Sequence, residues 1–161
     1  MDSVTLFQAV ITGICATLVM DCWSLIQKPI FGVPPLNYAL VGRWVLWLTR
    51  GKMRHNTIAS TSYVHNELLV GWGVHYLTGI LFAFIPLLLD GPDWFRAPSV
   101  TTAMLAGLLT LIAPFLILQP ALGFGIAASR TPRPWRARLL SVITHLAYGS
   151  GLYIAALVIN S

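Results

Sequence analysis

Four long apolar blocks dominate the chain, at about residues 4–27, 66–89, 99–128 and 135–159. Each exceeds the ~20 residues that a helix needs to cross about 30 Å of hydrocarbon. Within the blocks apolar and polar positions do not alternate, which excludes a transmembrane β-barrel. The pattern predicts an all-α integral membrane protein with four transmembrane helices in one membrane-embedded domain, residues 1–161. The third block is unusual: it is longer than a simple span and carries Pro114, Pro120, Gly123 and Gly125. Each proline removes a backbone donor and clashes with the preceding turn, so a kinked or broken helix is expected around Leu118-Gln119-Pro120. Between the first two blocks, residues 34–50 place Leu36, Leu40, Trp44, Trp47 and Leu48 against Arg43 and Arg50. That spacing predicts an amphipathic helix lying in the interface, in preference to a re-entrant segment. The following stretch, HNTIASTSYVH from His55 to His65, reads as a polar loop.

Polar residues inside the apolar blocks fall at helical spacing. Gly13, Thr17, Asp21 and Ser24 share a face of the first span; Glu67, Gly71, His75 and Gly79 share a face of the second; Ser141, His145 and Gly149 share a face of the fourth. Such stripes turn towards other helices and away from lipid. The motif small-xxx-His-xxx-Gly recurs with an offset of 70 residues, at Gly71/His75/Gly79 and Ser141/His145/Gly149. The recurrence suggests two helix-pair halves related by an axis along the membrane normal.

Depth gathers a smaller set. Counted at 1.5 Å per residue, Asp21, His75, Gln119 and His145 each lie roughly 10–15 Å from one membrane boundary. A carboxylate at the bilayer centre costs about 2.5–3.5 kcal/mol on insertion scales, so Asp21 needs a partner or a purpose. These four residues are the candidate site for a small ligand, an ion or a cofactor, with Gly71, Gly79, Ser141 and Gly149 as supporting small residues. Three chemistries fit. Two histidines on diagonal helices about 11–14 Å apart suit the opposite faces of a haem b. Asp21, His75 and His145 together have the donor types of a transition-metal site. The same groups suit proton or ion transfer. The competing reading is structural, with the polar stripes only packing helices in a non-catalytic scaffold or accessory subunit. His65 and Glu67, at the mouth of the second span, are candidates for an access path.

Composition and charge complete the picture. The chain is 57% apolar and only 9% charged, with a net charge of +5. Fifteen charges are too few to cover a water-soluble domain, for which about 25% is usual. Basic residues do not form a continuous face, which argues against nucleic acid as a partner. Lys28, Arg43, Arg50, Lys52 and Arg54 follow the first span, and Arg130, Arg133, Arg136 and Arg138 follow the third; Arg96 is the lone basic residue on the other side. This asymmetry predicts that both basic loops are cytoplasmic and both termini periplasmic. It also makes Arg43, Arg50, Arg130, Arg133, Arg136 and Arg138 candidates for lipid head groups. The partners expected are the bilayer itself and a second copy or another subunit of a membrane complex. Cys15 and Cys22 lie seven residues apart on one helix, roughly 10.5 Å along its axis, too far for a disulfide. The first block follows no basic n-region and reads as a retained span, not a cleaved signal. No GxSxG, HExxH, P-loop or GxGxxG signature is present.

The segments ATLVMDCWS, VGRW, GWGVHYLTG, LQPALGFGIAASRTPRP and RLLSVITHLAYGSGLY resemble a group of small bacterial inner-membrane proteins known only as a domain of unknown function. The resemblance covers roughly residues 8–155. It implies a multi-pass protein of the bacterial inner membrane and assigns no activity and no site residue.

Overall fold

The structure, a computed structural model, describes residues 2–33 and 35–160. Among the described residues there are seven α-helices: α1 (Ser3–Phe31), α2 (Tyr38–Leu48), α3 (Glu67–Phe82), α4 (Ile85–Asp90), α5 (Val100–Leu109), α6 (Gln119–Leu122) and α7 (Pro134–Ile159). There is no strand among the described residues. Among the described residues, four stretches are long and apolar enough to cross a membrane: Ser3–Phe31, Glu67–Asp90, Val100–Leu122 and Pro134–Ile159. Their outward faces carry large apolar side chains, with Leu88 84% and Leu69 72% exposed.

Local chemistry sets the helix ends. Asp2 caps α1 by accepting the Thr5 N–H at 2.8 Å. Gly32, in the left-handed region at φ 64°, closes it by returning its N–H to Lys28 O. The first span thus runs past the expected end near residue 27, because Pro29 falls in the last turn without breaking it. Asn37 caps α2 and Ser99 caps α5. The segment expected to lie in the interface is therefore helical over Tyr38–Leu48, shorter than 34–50. Pro34, where it was expected to begin, lies outside the described residues.

The third span ends at Leu122, six residues before the expected 128. Gly123, at φ 96°, terminates it, and the N–H groups of Gly123 and Phe124 return to Pro120 O and Gln119 O. Irregularity within this span lies in a π-helical stretch, Ala113–Leu118. There the Gln119 N–H reaches back five residues to Pro114 O, so the turn widens around the proline. Leu118 and Gln119 keep right-handed helical dihedral angles. Pro120 stands in the first turn of the short α6, which continues directly from the π-helical stretch.

The chain divides into two compact units. Unit 1 comprises Met1–Pro35, Tyr76–Thr110 and Val142–Ser161; unit 2 comprises Leu36–His75 and Leu111–Ser141. Unit 1 is built on small residues. Ala9, Ala16, Ala83, Ala103, Ala106 and Ala156 are buried together with Trp94, Phe95, Tyr148 and Leu152. In lipid there is no hydrophobic drive between helices, so close backbone approach must supply the packing energy. A Cβ on Gly13 would stand 2.6 Å from Ile80 Cα, and one on Gly149 would stand 2.7 Å from Ala103 O. Tyr148 donates to Gly79 O at 2.6 Å, and Asn160 Nδ2 donates to Ala156 O at 2.8 Å and to Phe95 O.

Unit 2 holds α2 against the first half of α3. A Cβ on Gly42 would collide with Glu67 O, and one on Gly71 with Tyr38 O. The two backbones touch there, which is the physical role of Gly71 in its stripe.

Candidate functional site

Unit 1 contains Asp21 and His145 of the four polar residues that depth counting groups together. Asp21 accepts a hydrogen bond from the Tyr76 hydroxyl at 3.1 Å. His145 Nδ1 lies 2.6 Å from Thr110 Oγ1, whose own hydrogen goes to Gly107 O at 2.6 Å. A hydroxyl has one hydrogen, so the imidazole donates from Nδ1 to the threonine oxygen. Gln27, only 6% exposed, donates to Thr144 Oγ1 at 3.0 Å. Gly79 and Gly149 lie one turn beyond His75 and His145. A Cβ on Gly79 would strike Thr17 Oγ1 of α1, whereas one on Gly149 would strike the α5 backbone. The supporting glycines thus sit where helices meet.

Unit 2 contains His75 and Gln119. The His75 ring stacks on Tyr38 at 4.2 Å between centroids, and its Nε2 lies 3.0 Å from the Tyr38 hydroxyl. Trp72 packs on the same tyrosine at 4.3 Å. Gln119 Oε1 is buried with no hydrogen-bond partner. Ser141 is half-buried. Among the described residues, no group of three or more His, Cys, Asp or Glu is gathered as a metal ion would require.

The strongest polar contact lies at the head of α3. Arg43 donates from Nε to Glu67 Oε2 at 2.8 Å and from Nη2 to Oε1 at 2.7 Å. The two side chains are 13% and 5% exposed. Glu67 Oε2 also accepts the Val64 N–H at 3.1 Å. The third donor of the fork, Arg43 Nη1, takes the carbonyls of Thr61 at 2.9 Å and Ile58 at 3.3 Å. Glu67 holds the Arg43 guanidinium above its ordinary pKa, against the opposing effect of burial. Arg43 is thus committed inside the protein, whereas Arg50, Arg130, Arg133 and Arg138 are exposed and Arg136 is half-buried. His65 is exposed beside this pair. Arg138 Nε donates to Ala127 O at 2.7 Å, bracing a residue at positive φ.

The loop clamped by Arg43 forms one wall of a polar cavity of about 390 Å³ in unit 2. Trp47, Lys52, Arg54, His55 and the hydroxyl residues of 57–62 line it. His55 is 5% exposed; its Nδ1 lies 2.9 Å from Thr61 Oγ1 and its Nε2 has no partner. Burial, with a smaller contribution from the Lys52 charge, pushes the His55 imidazole below its ordinary pKa. Hydrophobic periodicity passes over this loop, because it belongs to no span. The signal that marks it in the sequence is the density of hydroxyls behind three closely spaced cations, RGKMRHNTIASTS. Tyr38, Tyr76 and Thr110, which partner His75, Asp21 and His145, likewise sit off the three stripes.

Residues 10–159 match the family described as "Protein of unknown function (DUF2938)". The chain belongs to this family. The match covers all four apolar stretches, apart from the first turns of α1, and both units. No curated protein matches the chain, and no solved structure matches it. For this DUF2938 chain, function must therefore be argued from the residues themselves.

Proposed function

We propose that this DUF2938 chain is a non-catalytic accessory protein of the bacterial inner membrane, with both termini in the periplasm. Its intramembrane polar residues serve to lock helices together, and its basic unit faces the acidic head groups of the cytoplasmic leaflet. The observation that carries the reading is the pairing of the stripes. Asp21, His75 and His145 each meet a hydroxyl from another helix or its end, close to glycines where backbones touch. Polar residues used in this way hold helices together without chemistry. Charge supports the second half of the reading. Unit 2 carries Arg43, Arg50, Lys52, Arg54, Arg130, Arg133, Arg136 and Arg138 against Glu67 alone; unit 1 carries Lys28 and Arg96 against Asp2, Asp21, Asp90 and Asp93. Basic residues near an anionic leaflet contribute about 1 kcal/mol each.

A second reading, in which the intramembrane polar residues receive a small ligand, an ion or haem b, is favoured by one observation. Gln119 Oε1 is buried without a partner, a state that costs about 1–3 kcal/mol unless something fills it. The absorption spectrum of the purified protein, with metal analysis on the same sample, separates the two. The accessory reading expects no Soret band and no stoichiometric metal. A Soret band, or bound metal, that disappears in both His75→Ala and His145→Ala would replace it with the cofactor reading.

A further inference from the structure

The polar cavity of unit 2 is built for a ligand that the intramembrane residues do not explain. Lys52 and Arg54 line it, and no acidic residue does. Lys52 is held by Trp47, over whose ring its Nζ lies at 5.4 Å; Arg50 lies over the same ring at 5.0 Å. The hydroxyl residues Thr57, Ser60, Thr61 and Ser62 make up the loop wall, with Ser60 giving its own hydrogen to Thr57 O at 2.9 Å. That wall is fixed from behind, because Arg43, which does not line the cavity, occupies the carbonyl oxygens of Ile58 and Thr61. A further anchor is the His55 N–H, which donates to Ala121 O at 2.8 Å. The lining thus pairs cations with hydroxyls, while two of the loop's acceptor carbonyls are engaged elsewhere. The independent observation is His55, which is more than nine-tenths buried, lines the cavity and has an Nε2 without a partner. With the Thr61 hydroxyl donating to Nδ1 at 2.9 Å, Nε2 carries the ring hydrogen, a buried unsatisfied donor beside the cavity that a ligand oxygen completes. Lysine, arginine, hydroxyls and an imidazole together have the donor set of a phosphate site.

We propose that this cavity binds a phosphate group, presented either by a free phosphorylated solute or by the head group of an anionic lipid. Both sources share the recognised chemistry: a tetrahedral anion that accepts from Lys52, Arg54, the hydroxyls of Thr57 and Ser62 and the His55 Nε2–H. The neighbouring α2 carries Trp44 and Trp47, which suits a position near head groups.

Two titrations on the purified full-length protein test the proposal. In the first, inorganic phosphate is added in detergent and followed by isothermal titration calorimetry. In the second, the protein sits in phosphatidylcholine nanodiscs containing increasing phosphatidylglycerol, and the Trp47 fluorescence is followed, with Trp47→Phe defining its share of the signal. Saturable binding in the first arm identifies a free phosphate ligand; saturation in the second arm alone identifies a head group. In either case the double variant Lys52→Ser/Arg54→Ser loses about tenfold or more in affinity, as expected for lost charge-assisted hydrogen bonds. Both residues are exposed, so this variant keeps the fold. His55→Gln weakens binding in the same arm. No saturation in either arm, or affinity unchanged in the double variant, would overturn the proposal while leaving the spectroscopic test of the accessory reading intact.

Discussion

Glu67 is the one acidic residue in a unit with eight basic ones, and it is buried against Arg43. Its two oxygens and all three nitrogens of the guanidinium are engaged, so the pair fixes a loop as well as a helix head. Removing one partner of a buried pair leaves the other charge uncompensated, at a cost of about 3–5 kcal/mol. Arg43→Met is therefore expected to destabilise the detergent-purified protein by about that amount, measured by denaturant unfolding. The double change Arg43→Met/Glu67→Leu should recover much of the loss; a double variant as unstable as the single one would show that the loop carbonyls matter more than the charge. His55 supplies a second prediction at this scale. Its folded pKa lies below the ordinary 6.5, so the unfolded chain takes up the proton first as pH falls. Its contribution to stability is complete above that ordinary value and is lost as pH drops through it towards the lowered folded pKa. Stability measured down this window should fall in the wild-type protein and fall less in His55→Gln; equal slopes would mean that His55 is not the titrating group.

At the level of elements, glycine spacing carries most of the packing, and it makes sharp predictions. Gly71 and Gly73 are two residues apart on α3, yet a Cβ at Gly71 collides with Tyr38 O and one at Gly73 meets nothing within 4 Å. Gly71→Leu is expected to lift α2 off α3 and cost at least the ~1–3 kcal/mol of an overpacked core. Gly73→Leu should stay within about 0.5 kcal/mol of the parent. Limited proteolysis of the 49–66 loop, compared between the two variants, checks the difference; equal cleavage would remove the backbone contact from the account. Much of this layer was legible in the sequence. The four apolar stretches, the helix after the first span and the four-residue spacing of Gly71, His75 and Gly79 are all periodic signals. The end of the third span was not, because apolar composition continues past Leu122 to Ala128 while the helix stops at Gly123. Composition reports solubility in lipid; only the left-handed glycine reports the stop. The partners of Asp21, His75 and His145 were hidden for a related reason. Helical periodicity identifies residues that share a face, but Tyr76, Tyr38 and Thr110 reach them from other elements.

For the molecule as a whole, the distribution of charge between the units becomes a prediction about sidedness. Two segments of unit 2 carry the basic residues, one after the first span and one after the third, and two helices long and apolar enough to cross a membrane lie between them. If the basic unit is cytoplasmic, alkaline phosphatase fused after Arg54 or Arg133 should be inactive, while fusions after Asp93 and at Ser161 should be active. The four arginines from Arg130 to Arg138 then bear directly on the last crossing. Each holds its side of the membrane through the insertion preference of basic residues, and positive charge counts most within about 15–20 residues of a span. Replacing Arg130, Arg133 and Arg136 by glutamine, with Arg138 retained to brace Ala127, should lower the activity of the Ser161 fusion as part of the population fails to translocate its C-terminus. The same change in unit 1, Arg96→Gln, should leave it unaltered or raise it. A Ser161 fusion that is inactive in the unaltered chain would place the basic unit outside and remove the acidic leaflet as its partner. Since the phosphate cavity lies in that same basic unit, such a result would also change which pool of phosphate it meets, but not the chemistry by which Lys52, Arg54 and His55 recognise it.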